Sequence, residues 1–534
     1  MFENFVFYII IYFICCLSIL GYGLILTSYS KNYFDQINLG EIGILGILFT
    51  IVFSIFSNFF LPHGYIHNLS FILIGIFFFF YNVKKVSKVE IKVLFIIFFI
   101  IFISFPTFKS HDDFSYYHFP YSYYLTQYSH LFGLGNLNHG FRTPSSIFYI
   151  NSLFYIPYFK YYLFNLSAVL IFGFFNLNMI LKLIHNFKNK INKNEIFFIL
   201  SILIFTNIFF YRIPEHGTDR SAQILILILF LEYFSMIQKK TNIHFSINKI
   251  LIYIAIIISL KSFYILYVIF VPVLLFFLYD RRYLNILKNF YLLKNFYFNF
   301  FLIILFLVLF LNFSNSGCLI YPVYFTCVEG ISWGIPVDNV KDMNLWYEQW
   351  AKGGAGPNFR VENPEQYIQK FNWVSNWIDK YFFNKFSDFI LGLLFVAIIL
   401  IFSFYSSKST KIKIDKHLLI FYFAILILLF EWFYNHPSLR YGGYVLVFSS
   451  LFIPIIVLLA SFQSKNKKIK SSFIVLIIML TIIFEVRNAN RLYKEHKNYD
   501  YNFINDFRYN VEEDYFRIDK LIKQRFYKSR IIIK

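Results

Sequence analysis

A few short polar stretches interrupt an otherwise apolar chain, and they hold most of the residues that could do chemistry. The first reads Lys109-Ser110-His111-Asp112-Asp113-Phe114-Ser115-Tyr116-Tyr117-His118-Phe119-Pro120 and continues to Arg142-Thr143-Pro144-Ser145-Ser146. Adjacent carboxylates beside an apolar span are costly unless something uses them. Asp112 or Asp113 would serve as a general base, or would hold a cation and an acceptor. His111, His118 and Arg142 would line the same substrate site, and His139 lies in the same loop. The plainer alternative is a helix cap, with Asp113 capping a helix that starts near Phe114.

The second stretch is Pro214-Glu215-His216-Gly217-Thr218-Asp219-Arg220. Its Glu215, His216, Asp219 and Arg220 read either as a substrate-binding cluster or as a surface turn with an Asp–Arg pair and a cap at Thr218 or Asp219. Next comes Lys261, alone in an apolar stretch of about thirty residues, where a charge marks a site by default. A phosphate at the membrane surface is its natural partner; a lysine snorkelling to headgroups is the alternative. The last is His436-Pro437-Ser438-Leu439-Arg440-Tyr441-Gly442-Gly443. Arg440 suits bidentate phosphate binding, and the glycines permit close backbone approach. His436 and Tyr441 flank that group, which otherwise reads as a phospholipid anchor at a helix start.

The elements that must position these residues are membrane helices. The chain has 534 residues, is 58% hydrophobic, and contains 76 Phe and 43 Tyr. Runs near the length of a membrane span recur throughout, which predicts an all-α polytopic protein with about 14 spans. They fall at 5–27, 42–60, 67–83, 92–107, 162–182, 195–211, 222–238, 249–260, 263–279, 296–313, 386–405, 417–434, 443–462 and 471–486. The organisation is a membrane domain, 1–486, and a short mixed-charge tail, 487–534, which could form a small helical cap. The N-terminus lacks the basic region of a secretory signal, so the first span is expected to be retained.

The net charge of +20 does not point to nucleic acid. The lysines sit in short loops, at Lys84, Lys182, Lys239, Arg281, Lys408 and Lys465 and their neighbours, where they set orientation and meet anionic headgroups. The alternate loops, 108–161, 212–221, 314–385 and 435–442, carry the polar stretches and are expected to face away from the cytoplasm. For this the stretch 249–279 must be two short helices meeting at Ser259-Leu260-Lys261-Ser262. The tail strains the scheme, because the count puts it outside although it is basic.

Several finer features follow. Tyr116–Tyr128 could form an amphipathic helix lying in the interface. Trp346–Trp350 and Trp373–Trp377 have helical spacing and suit interfacial helices. Lys352-Gly353-Gly354-Ala355-Gly356-Pro357 lacks the spacing of a phosphate-binding loop and reads as mobile. Cys15 and Cys16 are apolar fillers, whereas Cys318 and Cys327 could pair in an outward loop. No zinc spacing occurs.

Asp112-Asp113 after a membrane helix, Ser259-Leu260-Lys261-Ser262 between two short helices, and Arg440-Tyr441 in a late loop together resemble the C-type integral membrane glycosyltransferases. Protein mannosyltransferases and the lipid A aminoarabinose transferase belong to that group. More narrowly, His111–Tyr155, Gly217–Ala222 and Ser316-Gly317-Cys318-Leu319-Ile320-Tyr321-Pro322 resemble a poorly characterised bacterial family associated with surface polysaccharide synthesis. Four spans precede the acidic loop, whereas better-known members have one. The resemblance implies a transferase of the bacterial inner (plasma) membrane, its active site facing the periplasm. The donor would be a polyprenyl-phosphate sugar, and the acceptor a glycan, lipid or protein. Arg440 and Lys261 would hold the carrier phosphate and Asp112 or Asp113 would activate the acceptor. Membrane lipids are the other expected partners, nucleic acid is not one, and a divalent cation, Mg or Mn, is the one cofactor left open. The rival readings are a polysaccharide polymerase or ligase, and a transporter of lipid-linked sugars.

Overall fold

The computed structural model describes residues 2–28, 37–108, 111–188, 192–215, 217–238, 243–291, 296–356, 359–412, 414–463, 466–508, 520 and 523–524. The protein is an all-α polytopic membrane protein, with no β-strand among the described residues. Each predicted span corresponds to a helix. In order these are Phe2–Ser28, Leu39–Phe60, Tyr65–Asn82, Lys88–Phe102, Leu166–Lys188, Lys193–Phe209, Gly217–Gln238, Ile243–Leu260, Ser262–Asp280 (its first part a 3-10 helix), Phe296–Ser316, Ser387–Phe404, Lys416–Asn435, Gly443–Ser461 and Asn466–Tyr499. Among the described residues, 12 helices are long and apolar enough to cross a membrane. Two predicted spans fall short of that: Lys88–Phe102 has 15 residues and Lys193–Phe209 has 17. At 1.5 Å per residue they cover ~22 and ~26 Å of a hydrocarbon layer ~30 Å thick.

Two helices make the centre of the bundle. The apolar window of Gly217–Gln238 is 94% buried and that of Leu166–Lys188 is 83% buried, against 28% for the helix ending at Phe404. Asp219 therefore stands on the first turn of the most enclosed helix. The first three helices pack closely on one another through glycine. A Cβ on Gly21 would lie 1.8 Å from the Gly75 carbonyl oxygen, and one on Gly23 2.0 Å from that of Ile42. Such contacts let helix backbones touch where lipid supplies no hydrophobic drive.

These helices have a visible task. The end of the second and the start of the third hold the acidic loop 108–161 from below. Asn58 Nδ2 donates to the carbonyls of Leu125 (3.0 Å) and Tyr128 (3.3 Å). Asn68 Nδ2 donates to the carbonyls of His63, Ser152 and Tyr155, each at 2.8 Å. His63 Nδ1 lies 2.6 Å from Ser152 Oγ.

Polar and lysine-rich loops sort to opposite ends of the bundle. At the lysine-rich end, Lys182 does not lie in a solvated loop as its sequence position suggests. Glu41, Lys182, Glu232 and Lys249 form a closed ring of alternating charge, with Lys182–Glu41 at 3.0 Å, Lys249–Glu41 at 2.6 Å, Lys249–Glu232 at 3.7 Å and Lys182 bonded to Glu232. The ring borders a cavity of about 570 Å³. Lys249 belongs there because its helix starts at Ile243, earlier than the apolar run indicates.

The last helix runs on to Tyr499, well beyond the predicted span, and brings the start of the tail to the end that holds the acidic loop. There Arg491 Nη2 donates to the carbonyls of Ile103 (3.3 Å), Ser104 (3.3 Å) and Pro106 (2.8 Å). Glu495 accepts from the Phe108 amide at 3.0 Å.

Candidate functional site

The acidic loop begins with a short helical segment. Asp112 and Asp113 start it, Phe114–His118 is a wide π turn, and Phe119–Gln127 continues as α-helix. Asp113 makes no capping hydrogen bond, so the cap reading does not hold. Its carboxylate turns instead to Arg440, whose Nη2 donates to Oδ2 at 2.6 Å. Asp112 is exposed beside it. The following helix is not an interfacial one: Phe119 through Thr126 are buried in protein. Polar neighbours meet the Tyr121 hydroxyl there: it is 3.2 Å from the Tyr149 hydroxyl and accepts from Asn315 Nδ2 at 2.9 Å.

Lys261 sits where the apolar run breaks, as predicted. One helix ends at Leu260, Lys261 is extended (φ −157°, ψ 121°), and a 3-10 turn starts at Ser262. The stretch after Arg142 pins the break: Ser145 Oγ donates to the Leu260 carbonyl, and Ser146 Oγ lies 3.1 Å from Ser259 Oγ. Arg440 is set by a turn that closes at Gly442, whose φ of +95° suits glycine, and its carbonyl accepts from Gln223 Nε2 at 2.9 Å.

Asp219 joins the pieces. It bonds Lys261 Nζ, and its Oδ2 accepts from Arg440 Nε at 3.0 Å. Asp113, Arg440, Asp219 and Lys261 thus form one chain of alternating charge, with side-chain exposures of 25, 28, 9 and 20%. Aromatic faces enclose it. Lys261 Nζ is 4.8 Å from the Tyr441 ring, and the Arg440 guanidinium lies 5.7 Å from Tyr441 and 5.8 Å from Trp350.

Burial pushes the Asp113 carboxyl up, but Arg440 outweighs it and holds the group below its ordinary range. His111 Nδ1 lies 3.5 Å from Asp113 and accepts from its amide at 3.1 Å. Burial holds that imidazole below its usual value. His118 is pushed down to about 3 by burial, so it is neutral at pH 7, and its Nε2 has no hydrogen-bond partner among the described residues. His436 packs edge-on against Phe263 and Tyr441 and is pushed down to about 4 by burial and then by Lys352 and Lys261.

Other candidates lie outside the ion-paired chain. Arg142 braces its own loop, donating to the Gly135 carbonyl (3.2 Å) and the Tyr321 hydroxyl (3.3 Å). Glu215 pairs with Arg212 at 2.6 Å. Arg220 points away from Asp219, with its guanidinium 5.2 Å from the Phe210 ring and 5.9 Å from that of Tyr444, so the expected Asp–Arg turn pair does not form. His216, like Lys109 and Ser110, lies outside the described residues.

Gln223, which the polar motifs of the sequence do not include, and Trp350, expected on an interfacial helix, both reach this centre. Gln223 stands one helical turn after Asp219 in an apolar run, a spacing that puts both on one face. Trp350 shares the helix Val337–Lys352 with Trp346. The glycine stretch after it is the turn that closes this helix, with the Gly353 amide on the Gln349 carbonyl (2.8 Å) and that of Ala355 on Trp350 (2.9 Å). Lys352 is fully buried, 2.5 Å from Glu348. Trp373 and Trp377 are buried rather than interfacial. Cys318 and Cys327 form a disulfide.

Among the described residues no three His, Cys, Asp or Glu side chains gather as a metal set. The two carboxylates of the chain are bridged by a guanidinium, so in this arrangement they do not fit a divalent cation.

Fold and site together define a multi-pass helical membrane protein with an ion-paired polar centre at one end. The chain belongs to the family described as Domain of unknown function (DUF8201), whose model matches residues 5–448. No curated protein and no solved structure matches it.

Proposed function

We propose that this protein is a membrane glycosyltransferase that moves a sugar from a polyprenyl-phosphate carrier to a cell-surface glycan, lipid or protein at the extracytoplasmic face. One observation carries the reading. Asp113, Lys261 and Arg440, from three distant parts of the chain, meet through Asp219 at one end of the bundle. A lipid-borne phosphate lies at the membrane surface, which the end of a membrane-spanning bundle meets. The lysine-rich loops at the other end support the assignment of sides.

The chemistry follows from the charges. Asp113 and Asp219 neutralise Arg440 and Lys261. An incoming phosphate offers the same cations better-placed oxygens. As it takes Arg440, Asp113 loses the cation that depresses it and becomes a stronger base. An acceptor hydroxyl then attacks the anomeric carbon, its proton passing to Asp113. The bond from that carbon to the phosphate oxygen breaks, and the electron pair leaves with the carrier phosphate, whose charge Arg440 and Lys261 hold. A single displacement of this kind inverts the anomeric centre. Asp219 does not touch the reacting atoms; it positions both cations. Sugar release from labelled polyprenyl-phosphate donors in membranes tests the reading. Transfer by the wild type that is lost with Asp113→Asn at unchanged protein level supports it. Wild-type transfer by that variant refutes the assigned base.

A further inference from the structure

A second polar cavity, of about 260 Å³, lies at the same end of the bundle, between the last helix and residues 211–212. Arg212, Arg487, Arg491 and Lys494 line it, against one acidic residue, Glu495. Arg212 is paired with Glu215 at 2.6 Å and Arg491 with Glu495 at 3.2 Å. Arg487 and Lys494 have no carboxylate partner among the described residues. Arg491 is 7% exposed, and its Nε has no hydrogen-bond partner among the described residues. Arg487 is held in place: it donates to the Ile208 carbonyl at 2.5 Å and its guanidinium lies 3.9 Å from the Tyr211 ring. An excess of fixed cations around a small cavity is a site for an anion with several acceptor oxygens.

The helix itself indicates what carries that anion. Below Arg487, half-buried Leu476 and the exposed Met479 (52%) and Ile483 (39%) form an outward apolar stripe on the face that carries Arg487 and Lys494. They recur at helical spacing and lead directly to the cavity. An acyl chain lying along this stripe puts a headgroup against Arg487 and Lys494.

We propose that this cavity binds a phosphate group, with a membrane lipid as its carrier. The bound headgroup would rest against the segments leading into both site carboxylates. Arg491 and Glu495 grip 103–108 ahead of Asp113, and Arg487 grips Ile208 ahead of Asp219.

The test is lipid retention by the purified full chain in detergent, read by native mass spectrometry. Phosphatidylglycerol is titrated against diacylglycerol, with inorganic pyrophosphate as the soluble competitor. Arg487→Gln and Lys494→Gln are compared with wild type; Lys494 is exposed, so its variant keeps the fold. Expected is retention of phosphatidylglycerol over diacylglycerol, weakened about tenfold in each variant. Displacement of bound phosphatidylglycerol by pyrophosphate supports a headgroup held at the phosphate site; retention of pyrophosphate but not of phosphatidylglycerol assigns the site a soluble source and overturns the lipid carrier. Equal retention of both lipids, or wild-type retention by both variants, overturns the proposal. The readout is binding, so its failure leaves the proposed transfer reaction untouched.

Discussion

Replacing Asp219 by asparagine probes the ion-paired chain at its most sensitive link. Asp219 is the least exposed of the four side chains, at 9%, and holds Lys261 and Arg440 together. The amide of an Asp219→Asn variant would keep the shape but leave two cations facing the single charge of Asp113. Breaking a buried pair from one side costs roughly 3–5 kcal/mol. The lower half of that range applies, because Arg440 keeps Asp113 at 2.6 Å and both cations touch solvent. A chain with this many helices does not unfold in one step, so melting midpoints in nanodiscs are compared rather than free energies. Asp219→Asn should melt clearly below wild type. Lys261→Met should melt between them, since Asp219 then keeps Arg440. The double variant removes one charge of each sign and leaves the Asp113–Arg440 pair. Its midpoint should fall by much less than the two single drops added together. Additive losses, or an Asp219→Asn protein that melts with wild type, would refute the account of Asp219 as the link.

Further outcomes follow from the same geometry. Asp112→Asn should retain transfer while Asp113→Asn abolishes it, because only Asp113 faces Arg440; transfer rates in the two variants decide this. Arg440 holds the Asp113 pKa below the unfolded value of about 3.9, so its stabilising contribution is present above that pH and lost as pH falls through the lower folded value. Buried histidines act at higher pH. His118 and His130 are each pushed down to about 3 by burial, below the unfolded value, so they withdraw stability as pH falls from ~6.5 toward that value. Melting points should therefore drop between about pH 6.5 and 4.5, and His130→Gln should flatten the slope; an unchanged slope contradicts this. Asn58→Ala removes two hydrogen bonds beneath the acidic loop, each worth ~0.5–1.5 kcal/mol, a loss that a melting curve should register.

The parts of the fold that local pattern determines were legible in the chain. Apolar runs located the helices. The lone lysine located the break at Lys261, because a charge inside a long apolar stretch is costly unless the helix opens there and turns it toward a polar partner. The polar loops gathered at one end as the charge alternation required. Partnership was less legible. Asp113 and Arg440 are separated by 327 positions and Asp219 and Arg440 by 221, and nothing local says which way a side chain at a helix end will point. Asp219 and Arg220 read as a pair, yet adjacent residues on a helix face different directions, and each found another partner. Glu41, Lys182, Glu232 and Lys249 failed for the same reason, each being a single charge near the end of a different span. Arg487, Arg491 and Glu495 looked like part of a basic tail. Their i, i+4, i+8 spacing, extending the last apolar helix, was the signal that they share its face.

The most direct test is sugar transfer in membranes supplied with labelled polyprenyl-phosphate sugars, comparing wild type with Asp113→Asn and Arg440→Lys at matched protein levels. The account predicts transfer by wild type and its loss in Asp113→Asn. It predicts a raised donor requirement in Arg440→Lys, because an ammonium cannot bridge phosphate and carboxylate as a guanidinium does. Full transfer by both variants, or none by wild type with any such donor, would contradict the claim that this ion-paired centre is a glycosyl-transfer site.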